Sequence, residues 1–99
     1  MNNFAGIGVI DAPEIKQSQG GTTFAMFTLK VARPVGNTMQ QTEDVIPCIC
    51  FGNTAQEIVG LAGQRVSVGG AVQSSTYTHP KFNKTSTKIQ VLVTSVTKL

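Results

Sequence analysis

An alternation of period two runs through most of this 99-residue chain and commits it to β-structure, because successive side chains of a strand point to opposite faces. Ala25, Phe27, Leu29 and Val31 alternate with Phe24, Met26, Thr28 and Lys30, and earlier Ala5, Ile7 and Val9 alternate with Phe4, Gly6 and Gly8. Both runs read as half-buried strands. Asp11 to Gly21 holds Pro13, Ser18 and the Gly20-Gly21 pair, so the chain is predicted to turn there, with a short added strand around Glu14 to Gln17. Pro34 to Thr42 is polar and reads as a long loop. Val45 to Phe51 is predicted as the third strand, with Ile46, Cys48 and Cys50 on one face and Val45, Pro47, Ile49 and Phe51 on the other. Pro47 lacks a ladder donor and favours an edge or a bulge.

One helix fits the remainder. Thr54 followed by Glu57 has the spacing of a capping box, Ala55, Ile58, Val59 and Ala62 share a helical face, and Gly63 is placed to end it, while Gly60 weakens it. Val66, Val68 and Val72 then mark a fourth strand. Ser74 to Thr87 is polar and basic, carries Tyr77, His79, Pro80 and Phe82, and reads as one long loop. Lys88 to Leu99 is the fifth strand, with Ile89, Val91, Val93 and Ser95 opposite Gln90, Leu92, Thr94 and Val96. The predicted fold is all-β: a five-stranded Greek-key barrel of the oligonucleotide-binding (OB) type, with one short helix between strands three and four, and residues 1–99 forming a single domain.

Composition removes several classes of function. Apolar residues are 40% and charged residues 13%, which fits neither a disordered tail nor a coiled coil. The sequence shows no apolar run of membrane-spanning length and no secretory leader, so a cytoplasmic location without membrane contact is expected. Two cysteines and one histidine are too few for a disulfide framework or a tetrahedral zinc site. Cys48 and Cys50, two apart on a strand, are expected to be small buried hydrophobes. No nucleophile, base and orienting acid form a set and no phosphate-cradling glycine loop is present, so neither catalysis nor a cofactor is expected. Charge is unevenly placed. Residues 1 to 57 hold all five acids against Lys16, Lys30 and Arg33, a balance of −2, whereas Arg65, Lys81, Lys84, Lys88 and Lys98 follow with no acid, a balance of +5. A basic C-terminal half suits a polyanion, although late lysines also occur on ordinary soluble surfaces.

Particular motifs point further. Ile7-Gly8-Val9-Ile10, Pro13-Glu14-Ile15, Gly21 before Ala25-Met26-Phe27-Thr28-Leu29, Val45 to Gly52 ending Phe-Gly, Ala55 in the helix, and Val66-Ser67-Val68-Gly69-Gly70 occur in this order. Together they resemble the bacterial single-stranded DNA-binding protein family over essentially all 99 residues. There are departures. Val35 and Val45 stand where the family usually has aromatics, there is no Trp, Ala12 replaces the Asp of Asp-Pro-Glu, and Gly69 replaces the Glu before Gly70. The chain also stops at Leu99, where family members commonly continue into a linker and an acidic tip. The resemblance therefore implies either a removed tail or a tail-less relative similar to phage proteins or primosomal replication protein N.

What the resemblance implies is sequence-tolerant binding of single-stranded DNA in replication, repair or recombination, by a homo-oligomer, dimer or tetramer, with replication or repair proteins as further partners. Such binding needs flat platforms for bases and cations along the backbone path. Phe51, on the outer parity of strand three, and Tyr77, sharing the parity of Ser75 and Gln73, match the family's stacking aromatics; the alternatives are a core residue beside the helix and a loop anchor. Phe82 is a third candidate. Lys81, Lys84 and Lys88 interleave with these aromatics as phosphate contacts or as a merely solvated basic hairpin, and Lys30 and Arg33 are read as further contacts on the outer parity of strand two or just beyond it. Phe27 is assigned to the core, and Phe24 is left out of the site. The competing functions are a primosomal or RNA-binding accessory and an OB-type protein-interaction module.

Overall fold

The computed structural model describes residues 2–37 and 41–99, so that 38–40, inside the stretch read as a long loop, lie outside the described residues. Its elements are β1 (Phe4–Gln17), β2 (Thr23–Pro34), β3 (Gln41–Phe51), α1 (Asn53–Gly60), β4 (Arg65–His79) and β5 (Lys84–Lys98). The strands close into a barrel in the order β1-β2-β3-β5-β4. Neighbours are antiparallel except at β3 and β5, which run parallel and, among the described residues, are joined by the ladder pairs Cys48–Val91 and Ile49–Leu92. This is the Greek-key OB barrel expected from the sequence, with its helix between β3 and β4.

β2 and β3 obey the alternation. Ala25, Phe27, Leu29, Cys48 and Cys50 face the core, which Ile10, Val66, Val68, Val91 and Val93 complete, and Ala55 and Ile58 of α1 close one end. β1 differs from the expectation. Gly8 and Ile10 are the buried pair, and Ile7 is 48% exposed. A Cβ on Gly8 would stand 2.4 Å from the Lys30 carbonyl oxygen, so β1 crosses β2 at a distance that only glycine permits. The turn predicted to begin at Asp11 is instead a bulge: Asp11 pairs with Thr28 and Glu14 with Met26, one residue extra on β1, with Ala12 at φ 50°. The strand then runs on to Gln17, and the chain reverses at Ser18 to Thr22, where the Gly21 amide donates to the Ser18 carbonyl at 2.9 Å. Pro47 fits its position, because β3 gains its second neighbour only from Cys48 onward.

Three other readings are corrected. The capping box does not form. Gly52, at φ 64°, is the N-cap with no side-chain cap, which starts the helix early and leaves Thr54 inside it. Since α1 ends at Gly60, Ala62 is off its buried face, Val59 is 37% exposed, and Leu61 packs on the core instead. The stretch from Ser74 to Thr87 is not a loop but most of a long hairpin, β4 reaching His79 and β5 starting at Lys84, with Thr76 and Thr87 hydroxyls 3.3 Å apart across it. These strands extend beyond the core, so neither face is apolar and the alternation that marks strands is missing.

Burial has a measurable consequence at the two thiols. Cys48 is pushed up from 9.0 to about 12 and Cys50 to about 11, in both cases chiefly because the thiolate would lose its hydration. Both folded values exceed the unfolded one, so this contribution to stability is full below pH 9 and is lost as pH rises toward 11 to 12. Where both thiols ionise in the unfolded chain, stability should fall by about 3 kcal/mol per pH unit. Urea midpoints between pH 8 and 10.5 check this; a Cys48→Val/Cys50→Val variant should lack that part of the fall.

Candidate nucleic-acid interface

Register arranges the outer face of the barrel in rows. Lys16, Phe24 and Phe51 lie side by side across β1, β2 and β3; next come Glu14, Met26 and Ile49, then Asp11, Thr28 and Pro47, then Val9, Lys30 and Val45. Phe24 and Phe51 form a tilted ring pair with centroids 6.2 Å apart and an interplanar angle of 43°. Phe51 is 46% exposed, hence no core residue. Phe24, left out by the sequence reading as a strand start, shares this face and packs against Phe51, and its parity with Met26 and Thr28 was the available signal. Beside the rings a groove of about 290 Å³ crosses the strands, with Met26, Thr28 and Pro47 between Glu14 and Lys16 on one side and Gln90 on the other.

The hairpin continues the β5 parity of Gln90. Its register sets Ser75 opposite Lys88, Tyr77 opposite Ser86 and His79 opposite Lys84. The side chain of Tyr77 lies outside the described part of the structure. At the tip, the Asn83 amide donates to the His79 carbonyl at 3.0 Å, Asn83 takes φ 53°, and Phe82 is 70% exposed with its ring edge-on to His79 at 6.4 Å. Pro80 and Asn83 suit these turn positions, one by its fixed φ, the other by its tolerance of the left-handed region. Lys81, Lys84 and Lys88 are all exposed.

Of the two cations of β2, Lys30 is placed as expected and Arg33 is not. Lys30 stands on the outer face, its Nζ 3.5 Å from Asp11 Oδ2. Arg33 has the opposite parity, that of Leu29 and Val31, and its Nε lies 3.1 and 3.0 Å from the two carboxylate oxygens of Asp44. The two side chains thus occupy opposite faces of the β2–β3 ladder, since residues three apart in a strand differ in parity. Among the described residues no three His, Cys, Asp or Glu side chains converge as metal ligands do, and no helix is long and apolar enough to cross a membrane.

A closed Greek-key barrel with half-exposed rings on its β2–β3 face and a long β4–β5 hairpin is an OB-fold protein. The chain belongs to the single-strand binding protein family, whose family model matches residues 1–99. It is similar to the single-stranded DNA-binding protein of Fusobacterium nucleatum subsp. nucleatum, 35% identical over 71 residues, covering 66% of this chain and 46% of that one. It is also similar to single-stranded DNA-binding protein 3 of Clostridium acetobutylicum, 35% identical over 81 residues, covering 78% of this chain and 56% of the relative. The chain therefore spans about half the length of these curated relatives. In fold it resembles the Plasmodium falciparum SSB solved in complex with ssDNA, with a TM-score of 0.83 at 19% identity over 100% of this chain and 95% of that chain.

Proposed function

We propose that residues 1–99 act as one nucleic-acid-binding domain that holds and protects single-stranded DNA with little sequence preference, in replication, repair or recombination, as a binding protein and not an enzyme. The observation that carries this is the Phe24–Phe51 pair, half in water on an outer face that leads across Gln90 to the lysines of the hairpin. Exposed rings have no use in the core, yet a base stacked on one contributes about 1–3 kcal/mol whatever its identity. Lysines along the hairpin supply the charge that tracks the backbone. Family membership and the names of the bacterial relatives support the same ligand.

Titration of the chain with labelled deoxythymidine oligomers, duplex DNA and RNA of equal length tests the reading. Single-stranded DNA should bind best at low salt. A preference for RNA would favour an RNA-binding accessory, and no binding to any of the three would favour a protein-interaction module. The lysines should show in the salt dependence: Lys81→Ala and Lys84→Ala should each flatten the log–log slope by about 0.7 and weaken all sequences alike.

The same reading includes a homo-oligomer. From Phe4 to Gly8, β1 pairs with β4 alone, so among the described residues its other edge has no partner strand, and Ile7 and Val9 are exposed beside it. Light scattering across a concentration series should report a dimer or tetramer; a monomer at every concentration would overturn this part.

A further inference from the structure

Asp11 and Glu14 would point to opposite faces of a regular strand, since they are three residues apart. The extra residue at the bulge cancels that difference, and Asp11, Glu14 and Lys16 all stand on the platform face. There the acids meet the two cations that bracket the platform: Lys16, in the row of Phe24 and Phe51, lies 3.6 Å from Glu14, and Lys30, three rows away, lies 3.5 Å from Asp11. The hairpin is the opposite case. Neither Lys81 nor Lys84 has a carboxylate partner among the described residues, and the sequence holds no acid after Glu57.

We infer that Asp11 and Glu14 are built-in competitors for phosphate: by holding Lys30 and Lys16 they keep the stacking face neutral, so that a strand is retained there by its bases and along the hairpin by its phosphates. The inference rests on the single-strand reading above. Exposed ion pairs are weak in themselves, so the barrier to recruiting these lysines is not the pair's own strength. It is that a lysine turned toward phosphate leaves its carboxylate behind, unpaired and beside a second anion, which offsets what the contact gains. The acids thereby limit how many phosphates the domain neutralises and keep the bound strand exchangeable.

Asp11→Asn and Glu14→Gln remove the charge and keep the shape. Titration with a deoxythymidine oligomer over a salt series should show each substitution steepening the log–log slope by up to about 0.7, with affinity at about 50 mM salt rising by up to about 8-fold per released lysine. Adding Lys30→Ala to Asp11→Asn, or Lys16→Ala to Glu14→Gln, should cancel the gain. Glu57→Gln raises the net charge equally from the helix, in a depression shared with Val96 and Lys98, and should leave the slope as it is. The inference is overturned if the two acid variants keep the wild-type slope, if their gain survives loss of the lysine, or if Glu57→Gln reproduces it. Should the wild-type chain bind no oligomer at all, the single-strand reading falls and this inference with it; silent acid substitutions in a chain that does bind sink this inference alone.

Discussion

Gly70→Ala should destabilise the protein by about 3 kcal/mol or more, a large share of what holds a domain of this size together. A methyl group on Gly70 would stand 1.9 Å from the Leu92 carbonyl oxygen and 2.8 Å from its carbon. Both are backbone atoms of β5 and cannot turn aside as a side chain would. The clash falls at the second irregularity of the barrel, where Gly69 pairs with Ser95 and Gly70 with Val93, leaving Thr94 as the extra residue. Relief would require β4 and β5 to part where β4 also pairs with Phe4 of β1. Gly20→Ala is the control, because its added methyl meets nothing within 4 Å, and it should leave stability unchanged or raise it by about 0.4–1 kcal/mol. Urea unfolding of the three chains decides: equal midpoints would mean that the β4–β5 register adapts to a side chain.

The second large effect is expected in binding. Phe51→Ala should weaken single-strand affinity by about 1–3 kcal/mol, or roughly 5- to 150-fold, with the salt slope nearly unchanged, because a stacked base releases no counterions. Phe24→Ala should act in the same direction, and the double variant should lose less than the sum, since the two rings touch each other. Phe51 already has nearly half its surface in water, so its truncation should leave the barrel folded. Fluorescence titration at several salt concentrations, with circular dichroism on each variant, separates the outcomes. If Phe51→Ala binds like the wild-type chain, the ring is a lid over Phe24 and not a platform.

The legible parts of the fold were those where the alternation is unbroken. Phe27, Leu29, Cys48 and Cys50 could be assigned inward because β2 and β3 pair without a slip. Each bulge defeated the same reasoning. One extra residue near Ala12 reverses the parity of β1 and hid the fact that Asp11, Glu14 and Lys16 share a face, while Pro13 and the Gly20-Gly21 pair made the continuing strand read as a turn. Another at Thr94 lets both Val93 and Val96 pack on the core. The strand character of the hairpin went unread for a different reason, since a ladder of threonines with water on both sides has no apolar signature. On the outer face, Phe51 was legible by parity and Phe24 was set aside, although the same parity on β2 places it there; Lys30 lies on that face as read, whereas Arg33 and its partner Asp44 lie on the other.

The parallel join between β3 and β5 is two residue pairs long, while every other ladder of the barrel is longer. Unfastening it breaks no hairpin: β3 stays zipped to β2, β5 stays zipped to β4, and the barrel becomes a curled ribbon with β1 as its spine. The groove that crosses Pro47 and Gln90 lies over this join. Short ladders open at lower free energy than long ones, so the join works as a clasp. If this clasp opens, the β2–β3 arm with Phe24 and Phe51 parts from the β4–β5 arm with Lys81 and Lys84, so amide exchange is expected to be faster at these two pairs than along the longer described ladders.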